Sequence, residues 1–158
     1  MKKITGFTLM EMMVVLAIIC ILAVFALPIP QDNISRKQIT ESVELIEGYK
    51  KQIELFHQNN LKFPSDNEEA EIPKPNQLIG NFVTRIELKD GAFHLHLGNK
   101  IHTSLKDKTL SIQPLTVKNS PKSPISWICG YSSVPEGMVA AGENLTNMDR
   151  KFLPMGCR

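Results

Sequence analysis

An apolar run with one carboxylate near its start constrains this chain more than any other feature. Residues 7–27 hold only two polar side chains, Thr8 and Glu11, and no basic one. A carboxylate inside the apolar layer of a bilayer costs about 2.5–3.5 kcal/mol on insertion scales, so it persists there mainly where a cation pairs with it. The partner of Glu11 therefore has to come from outside the run, either from a new N-terminal amine or from a neighbouring copy of the chain.

The six residues before the run predict a leader peptide that is removed. Residues 1–6 contain Lys2 and Lys3 and end at Gly6, directly before Phe7. Cleavage after Gly6 would place a cationic α-amine four residues before Glu11. Since residues four apart share one face of a helix, the amine and the carboxylate of one chain, or of two adjacent chains, would neutralise each other.

A family resemblance rests on residues 6–19, which read Gly-Phe-Thr-Leu-Met-Glu-Met-Met-Val-Val-Leu-Ala-Ile-Ile. This stretch resembles the class III leader and N-terminal helix of type IV pilins. The resemblance implies that a prepilin peptidase cuts between Gly6 and Phe7 and methylates the Phe7 amine, and that Glu11 guides assembly into a helical filament. It further implies that the partners are other copies of the chain, minor pilins, an inner-membrane assembly platform and, before assembly, membrane lipid. The implied location is the inner membrane first and an extracellular pilus afterwards.

The apolar run also fits a secretory signal peptide or a simple transmembrane anchor. Lys2 and Lys3, followed by an apolar stretch that ends in Val24-Phe25-Ala26, have the pattern of a signal peptide. The 21 residues of the run, at about 1.5 Å each, reach the roughly 30 Å of the hydrocarbon layer, as an anchor requires. Neither alternative accounts for a glutamate beside the Gly6-Phe7 junction.

The length and composition suit one modest domain behind this apolar arm. The chain has 158 residues, of which 42% are apolar. Five segments are predicted: a leader (1–6), a hydrophobic transmembrane and filament-core helix (7–27), an amphipathic helix (28–60), a connecting loop (61–80), and a sheet with a C-terminal loop (81–158). Removal of the leader leaves 16 basic against 16 acidic side chains, which argues against strong nonspecific binding of nucleic acid.

Two prolines and one glycine predict bends in the long helix. Pro28 and Pro30 each remove a helix hydrogen bond, which predicts a kink after the apolar run. Pro28 also matches the helix-bending proline of type IVa pilins. Beyond them, apolar side chains recur at steps of three and four until about Asn59, which predicts an amphipathic helix. These side chains are Ile39, Val43, Ile46, Tyr49, Ile53 and Phe56. Gly48 predicts a second flexible point.

A proline-rich loop and four strand-like segments follow the helix. Residues 61–80 lack periodicity, and the resemblance to pilins implies contact or display at the subunit surface there. Alternating segments on both sides of Asp90-Gly91 predict a hairpin, and residues 109–117 and 125–129 predict two more strands. Pro114 predicts that the third strand lies at an edge or beside a bulge.

The predicted fold class is α+β. Four short antiparallel strands with one apolar face need a cover, and the apolar stripe of the preceding helix offers one. We therefore expect a long N-terminal helix, hydrophobic in its first half and amphipathic in its second, to pack on a four-stranded antiparallel sheet. A C-terminal loop closed by a disulfide completes the prediction.

The disulfide prediction concerns Cys129 and Cys157. Cys20 lies inside the apolar run and behaves as a small hydrophobic residue. The other two cysteines fall in the polar part of the chain, which export would place in an oxidising compartment, so we expect them to pair. Their bridge would enclose 27 residues and contribute roughly 3–4 kcal/mol in the chain-entropy model. Two thiols without Cys-x-x-Cys spacing or an adjacent histidine make a poor zinc site.

The motifs of common enzymes are missing from the sequence. There is no G-x-S-x-G, no H-E-x-x-H and no glycine-rich phosphate loop, so we predict no catalytic residue, no cofactor and no enzyme activity. His94 and His96 share one face of a strand, but alternate histidines on the polar face of a hairpin are usually solvated. We therefore predict no metal site. The short sequence Asn144-Leu145-Thr146 matches a glycosylation sequon, a motif that also arises by chance.

These observations predict a structural subunit of a type IV pilus that serves adhesion, twitching motility or DNA uptake. The alternatives are a pseudopilin of a type II secretion system, a minor pilin that acts as a DNA receptor in competence, and a secreted ligand-binding module. The resemblance favours the pilus over the pseudopilin, since main pseudopilins more often fasten the C-terminal region with calcium. Seven basic residues carry the DNA alternative: Lys100, Lys106, Lys108, Lys118, Lys122, Arg150 and Lys151.

Overall fold

The computed structural model describes residues 6–26 and 31–158, and the chain divides into two compact units, residues 1–31 and 32–158. The first unit holds helix α1, Leu9–Ala26. Its side chains are exposed as far as residue 24. The part of the chain that the structure describes contains no helix with the combined length and apolarity needed to cross a bilayer. The kink predicted at Pro28 and Pro30 lies outside the described residues.

The second unit begins with two helices where the sequence predicted one. Helix α2 spans Gln31–Glu44 and helix α3 spans Glu47–Asn60. The break falls between them, where the N–H of Ile46 donates to the carbonyl of Val43 at 3.2 Å. Gly48, the predicted flexible point, is the second residue of α3, so the interruption begins before it. The helix end is as expected, since Leu61 takes a left-handed conformation (φ 56°) directly after Asn60.

The sheet has the four predicted antiparallel strands and one more. They are β1 (Val83–Lys89), β2 (Ala92–Leu97), β3 (Thr109–Val117), β4 (Ser126–Cys129) and β5 (Met138–Ala140). The strand order is β1-β2-β3-β4, and β5 pairs with β3. Positive φ angles at Asp90 (49°) and Gly91 (84°) make the β1–β2 connection the tight turn that these two residues favour. The short strand β5 was not predicted.

The prediction for Pro114 was wrong, because β3 is an interior strand. Its pairing with β2 ends at Ile112, and its pairing with β5 begins at Leu115, while β4 lies opposite Pro114 through Trp127. The proline thus sits where β3 changes partner from β2 to β5. Its carbonyl still accepts a hydrogen bond from the Ala141 N–H at 3.0 Å.

The predicted packing of helix on sheet is confirmed. Ile39, Ile46 and Ile53, spaced seven apart along α2 and α3, are fully buried and share one core with apolar side chains of the sheet. The sheet side of this core includes Ile86, Leu88, Phe93, Leu95, Leu110 and Ile112. The indole N–H of Trp127 donates to Glu54 Oε1 at 2.8 Å, which ties β4 to α3.

The loop over residues 61–80 is irregular, as predicted, except for a short 3-10 helix at Pro75–Gln77. Buried Asn67 anchors it to the sheet. The Asn67 amide donates to the Pro73 carbonyl at 2.9 Å, and its Oδ1 accepts from the Leu88 N–H at 2.8 Å. The middle of the loop is therefore fixed on β1.

We predict that Ser35→Ala stabilises the protein. Ser35 is 0% exposed, and within the described residues its hydroxyl has no hydrogen-bond partner. Because an unpaired buried hydroxyl costs roughly 1–3 kcal/mol, the free energy of unfolding should rise by about 1 kcal/mol. Denaturant unfolding of the full chain in mild detergent, followed by fluorescence of Trp127, measures the change.

Ser42→Ala is the matched control on the same helix. Ser42 is also buried, but its hydroxyl donates to the Gln38 carbonyl at 2.8 Å. Both substitutions replace serine by alanine in a helix and gain the same helix propensity. They differ because Ser35→Ala removes an unpaired hydroxyl, whereas Ser42→Ala removes one that is hydrogen-bonded. Equal effects of the two substitutions, or a loss of stability in Ser35→Ala, would contradict the prediction.

Candidate assembly helix and C-terminal disulfide loop

Thr8 caps the start of α1. Its hydroxyl oxygen accepts the N–H of Glu11 at 3.2 Å, and its carbonyl accepts the N–H of Met12 at 3.3 Å. Glu11 lies in the first helical turn, where a negative charge is stabilised by the helix dipole. Sequence reasoning missed the role of Thr8, although Thr-x-x-Glu before an apolar run is a known signature of a helix start.

The helix offers apolar surface on all sides. Phe7 is 73% exposed and Leu9 is 80% exposed. The large apolar side chains farther along α1 are also exposed, most of them by smaller fractions of their surface. Apolar surface left in water costs about 25 cal/mol per Å², so a helix of this kind is stable only when lipid or other apolar helices cover it. Gly6 and Phe7 precede the helix and are exposed. Cys20 is a free, exposed cysteine on α1.

The predicted disulfide between Cys129 and Cys157 is present. The two Cα atoms are 4.7 Å apart, and the residues are 28 positions apart in sequence. Backbone bonds reinforce the closure, since the Tyr131 N–H donates to the Cys157 carbonyl at 2.9 Å. Gly130 has φ +60°, and a Cβ there would overlap the carbonyl oxygen of Cys157. Glycine is therefore required beside the bridge.

Residues 144–147, called here the latch segment, attach the disulfide loop to β3. Asn147 Oδ1 accepts the N–H of Thr109 at 2.7 Å, and Thr146 Oγ1 accepts the N–H of Ser111 at 3.0 Å. In the opposite direction, the N–H of Leu145 donates to Ser111 Oγ at 2.8 Å. Side chains of the latch segment thus take the place of a neighbouring strand along the first half of β3.

The sequon residue Asn144 is itself part of this attachment. Its side-chain oxygen accepts the N–H of Thr146 at 3.0 Å, and its amide nitrogen donates to the Gly130 carbonyl. Both ends of the side-chain amide are therefore engaged within the loop. Sequence reasoning missed the latch segment because its partners lie 34 to 38 residues away.

The prediction that the histidines are solvated was wrong for His94. The side chain is 1% exposed, and its Nδ1 lies 2.9 Å from Ser111 Oγ. His96 is half-buried, with Nδ1 3.2 Å from Thr109 Oγ1 and Nε2 3.6 Å from Glu87 Oε2. His94 is buried because the C-terminal loop covers this second face of the sheet. The loop binds Ser111 there, and its Gly142 carbonyl accepts a hydrogen bond from the Gln113 side chain. Burial is the main cause that lowers the pKa of both histidines.

A second buried histidine lies on α3. His57 is 5% exposed and stacks on Phe63 with ring centroids 4.4 Å apart. Burial lowers its pKa as well. It lines a cavity of about 420 Å³ together with the turn that follows β3. Among the residues that the structure describes, no three side chains of the metal-binding types come close enough to hold an ion.

Comparison with known proteins gives matches for both the N-terminal segment and the rest of the chain. Residues 35–158 match the family model for pilin, a bacterial filament protein, and residues 1–27 match the prokaryotic N-terminal methylation motif. The chain is 32% identical to a fimbrial protein of Neisseria meningitidis serogroup B over 97% of its length and 93% of that relative. It is 34% identical to a type IV major pilin protein, PilE1, of Neisseria gonorrhoeae, again over 97% and 93% of the two chains.

We predict that removing the disulfide destabilises the second unit and frees the C-terminus. A bridge that closes a loop of this length contributes about 3–4 kcal/mol, so Cys129→Ser/Cys157→Ser should lower the free energy of unfolding by roughly that amount. Limited proteolysis should then cut the C-terminal loop first. Cys20→Ser is the matched control, because this cysteine is unpaired. The prediction is wrong if the double variant unfolds at the same denaturant concentration as the control.

Proposed function

The chain belongs to the type IV pilin family, and we propose that it is a structural subunit of a type IV pilus that polymerises through α1. The observation that carries the proposal is the exposed apolar surface around the whole of α1, with Glu11 in its first turn. A single chain leaves this surface uncovered, whereas a bundle of many copies removes it from water. The relatives named fimbrial protein and type IV major pilin support the same role.

Processing at the Gly6-Phe7 bond is the first step of the proposed assembly. The match of residues 1–27 to the N-terminal methylation motif supports it. The bond lies outside α1, in exposed backbone, so a peptidase need not unwind a helix to reach it. We propose that a prepilin peptidase cuts there and methylates the Phe7 amine.

Glu11 then aligns each new subunit. A misplaced copy would leave this carboxylate unpaired in an apolar bundle, and one unpaired member of a buried ion pair costs about 3–5 kcal/mol. Pairing with the new amine of a neighbouring subunit removes that cost. The helix dipole contributes in the same direction, since Glu11 lies at the positive end of α1.

The remaining steps are proposed from the family. Before assembly the subunit resides in the inner membrane, where lipid covers α1, and an assembly platform and minor pilins receive it there. After assembly it forms part of an extracellular pilus that serves adhesion, twitching motility or DNA uptake. The second unit needs no further apolar cover in the filament, because its apolar side chains already form a core of their own.

We expect Glu11→Gln to block assembly but not membrane insertion. The substitution keeps the size of the side chain and removes the charge that pairs with the amine, so the subunit recovered in sheared surface filaments should fall by at least about tenfold. Immunoblots of the sheared and membrane fractions measure both pools. Glu44→Gln, at an exposed position of α2, is the control. Normal filaments of Glu11→Gln with an unchanged membrane pool would remove the proposed alignment role.

We expect the mature chain to begin with N-methylated Phe7. Mass spectrometry of the N-terminal peptide from purified protein tests this directly. Gly6→Val, which adds a branched side chain at the cut, should leave the leader in place, whereas Thr5→Val should be processed normally. A mature N-terminus beyond Ala26 would instead show a secretory signal peptide and would contradict the filament role.

A further inference from the structure

Two histidines lie directly beneath the point where the disulfide loop is attached to the sheet. We propose that His94, assisted by His96, makes docking of the latch segment on β3 sensitive to pH. With neutral histidines the latch segment is docked, and with protonated histidines it is released. The disulfide keeps the released loop tethered. This property belongs to the second unit and does not depend on how α1 assembles.

The hydroxyl of Ser111 links His94 to the latch segment. Ser111 Oγ accepts the N–H of Leu145 at 2.8 Å and lies 2.9 Å from His94 Nδ1, where it either donates its hydrogen to the ring or accepts a second hydrogen bond from it. In either case a second proton on the ring makes both ring nitrogens donors, and the Nε2–H is then buried without a partner within the described residues.

His96 supports the neighbouring attachment in the same way. Its Nδ1 lies 3.2 Å from the hydroxyl of Thr109, and the N–H of Thr109 donates to Asn147 at 2.7 Å. The two histidines thus contact the two β3 residues that bind the latch segment. A change at either ring reaches the attachment through a single intervening residue.

Burial opposes a positive charge on either ring. The Nε2 atoms of both histidines are buried and have no hydrogen-bond partner within the described residues, although His96 Nε2 lies 3.6 Å from a carboxylate oxygen of Glu87. A buried charge without hydrogen bonds or a counter-ion is costly, so protonation favours a state in which water reaches the rings. Opening of the loop provides that state.

The charged groups around His94 come from three elements. Glu87 of β1 and Glu143 of the C-terminal loop favour the protonated form of His94. Lys89 of β1 and His96 of β2 oppose it. Arg85 of β1 opposes a charge on His96. Strand β3 contributes the neutral groups Ser111, Thr109 and Gln113. Burial outweighs these partly cancelling charges and lowers the pKa of both histidines.

The direction of the pH effect follows from linkage. In the open loop a histidine has its ordinary pKa of about 6.5, and in the docked loop the pKa is lower. As pH falls through about 6.5, the open form binds the proton first, so docking weakens by up to about tenfold per pH unit for each histidine. The weakening ends once the pH is below the docked pKa. Above about pH 7 docking is unaffected.

Amide hydrogen exchange of the full chain in detergent micelles tests the proposal. The amides of Thr109, Ser111 and Leu145 report docking because each donates across the attachment. Leu88, whose amide binds Asn67, reports the rest of the unit. Between about pH 7.5 and about pH 5.5, protection factors of the three reporters should fall by about tenfold or more, while that of Leu88 should not. No fall, or an equal fall at Leu88, would overturn the proposal.

Matched variants assign the effect to the histidines. Gln at both positions 94 and 96 keeps an acceptor but does not titrate, so His94→Gln/His96→Gln should abolish the pH dependence of the three reporters. His57→Gln removes another buried histidine, on α3, and should leave that dependence intact. Wild-type pH dependence in the double variant would overturn the proposal. Should that variant not fold, NMR titration of the wild-type His94 ring decides, since its midpoint has to coincide with that of Leu145 deprotection.

Discussion

One constraint dominates this chain: α1 is apolar around its whole circumference and carries a single acid in its first turn. Within residues 6–26 and 31–158, which the structure describes, the apolar side chains of α1 stay exposed. Apolar surface on every side needs lipid or other helices around it, and a carboxylate in such surroundings needs a cation. Thr8 accepts a hydrogen bond from a free N–H at the start of the helix, and the helix dipole favours the negative charge of Glu11 there. Neither of them supplies a full positive charge. Membership of the type IV pilin family agrees with both needs.

The second unit covers both faces of its sheet with its own residues. The apolar face packs under α2 and α3, and the polar face is covered by the disulfide loop. Covering a polar face requires that its groups find partners, and Ser111, Thr109 and Gln113 find them in the backbone and side chains of the loop. Hydrogen bonding on one face and apolar packing on the other thus stabilise the same sheet.

Features set by local pattern were predictable from the sequence. Apolar side chains at steps of three and four, such as Ile39, Val43 and Ile46, indicated the helix. Asp90-Gly91 indicated the hairpin, and two cysteines in the polar part of the chain indicated the bridge. The burial of His94 and the interior position of Pro114 were not predictable in this way, because both depend on which distant segment lies beside the strand. In each case the C-terminal loop decides: it binds Ser111, the hydrogen-bond partner of His94, and its strand β5 pairs with β3 directly after Pro114.

The bridge between Cys129 and Cys157 also has a bearing on the order of biogenesis. The bridge ties Cys157 to the end of β4, so this covalent link is missing until both thiols are oxidised. A newly made chain in a reducing compartment holds its tail through hydrogen bonds and packing alone. The C-terminal loop therefore reaches its full stability only after both thiols are oxidised.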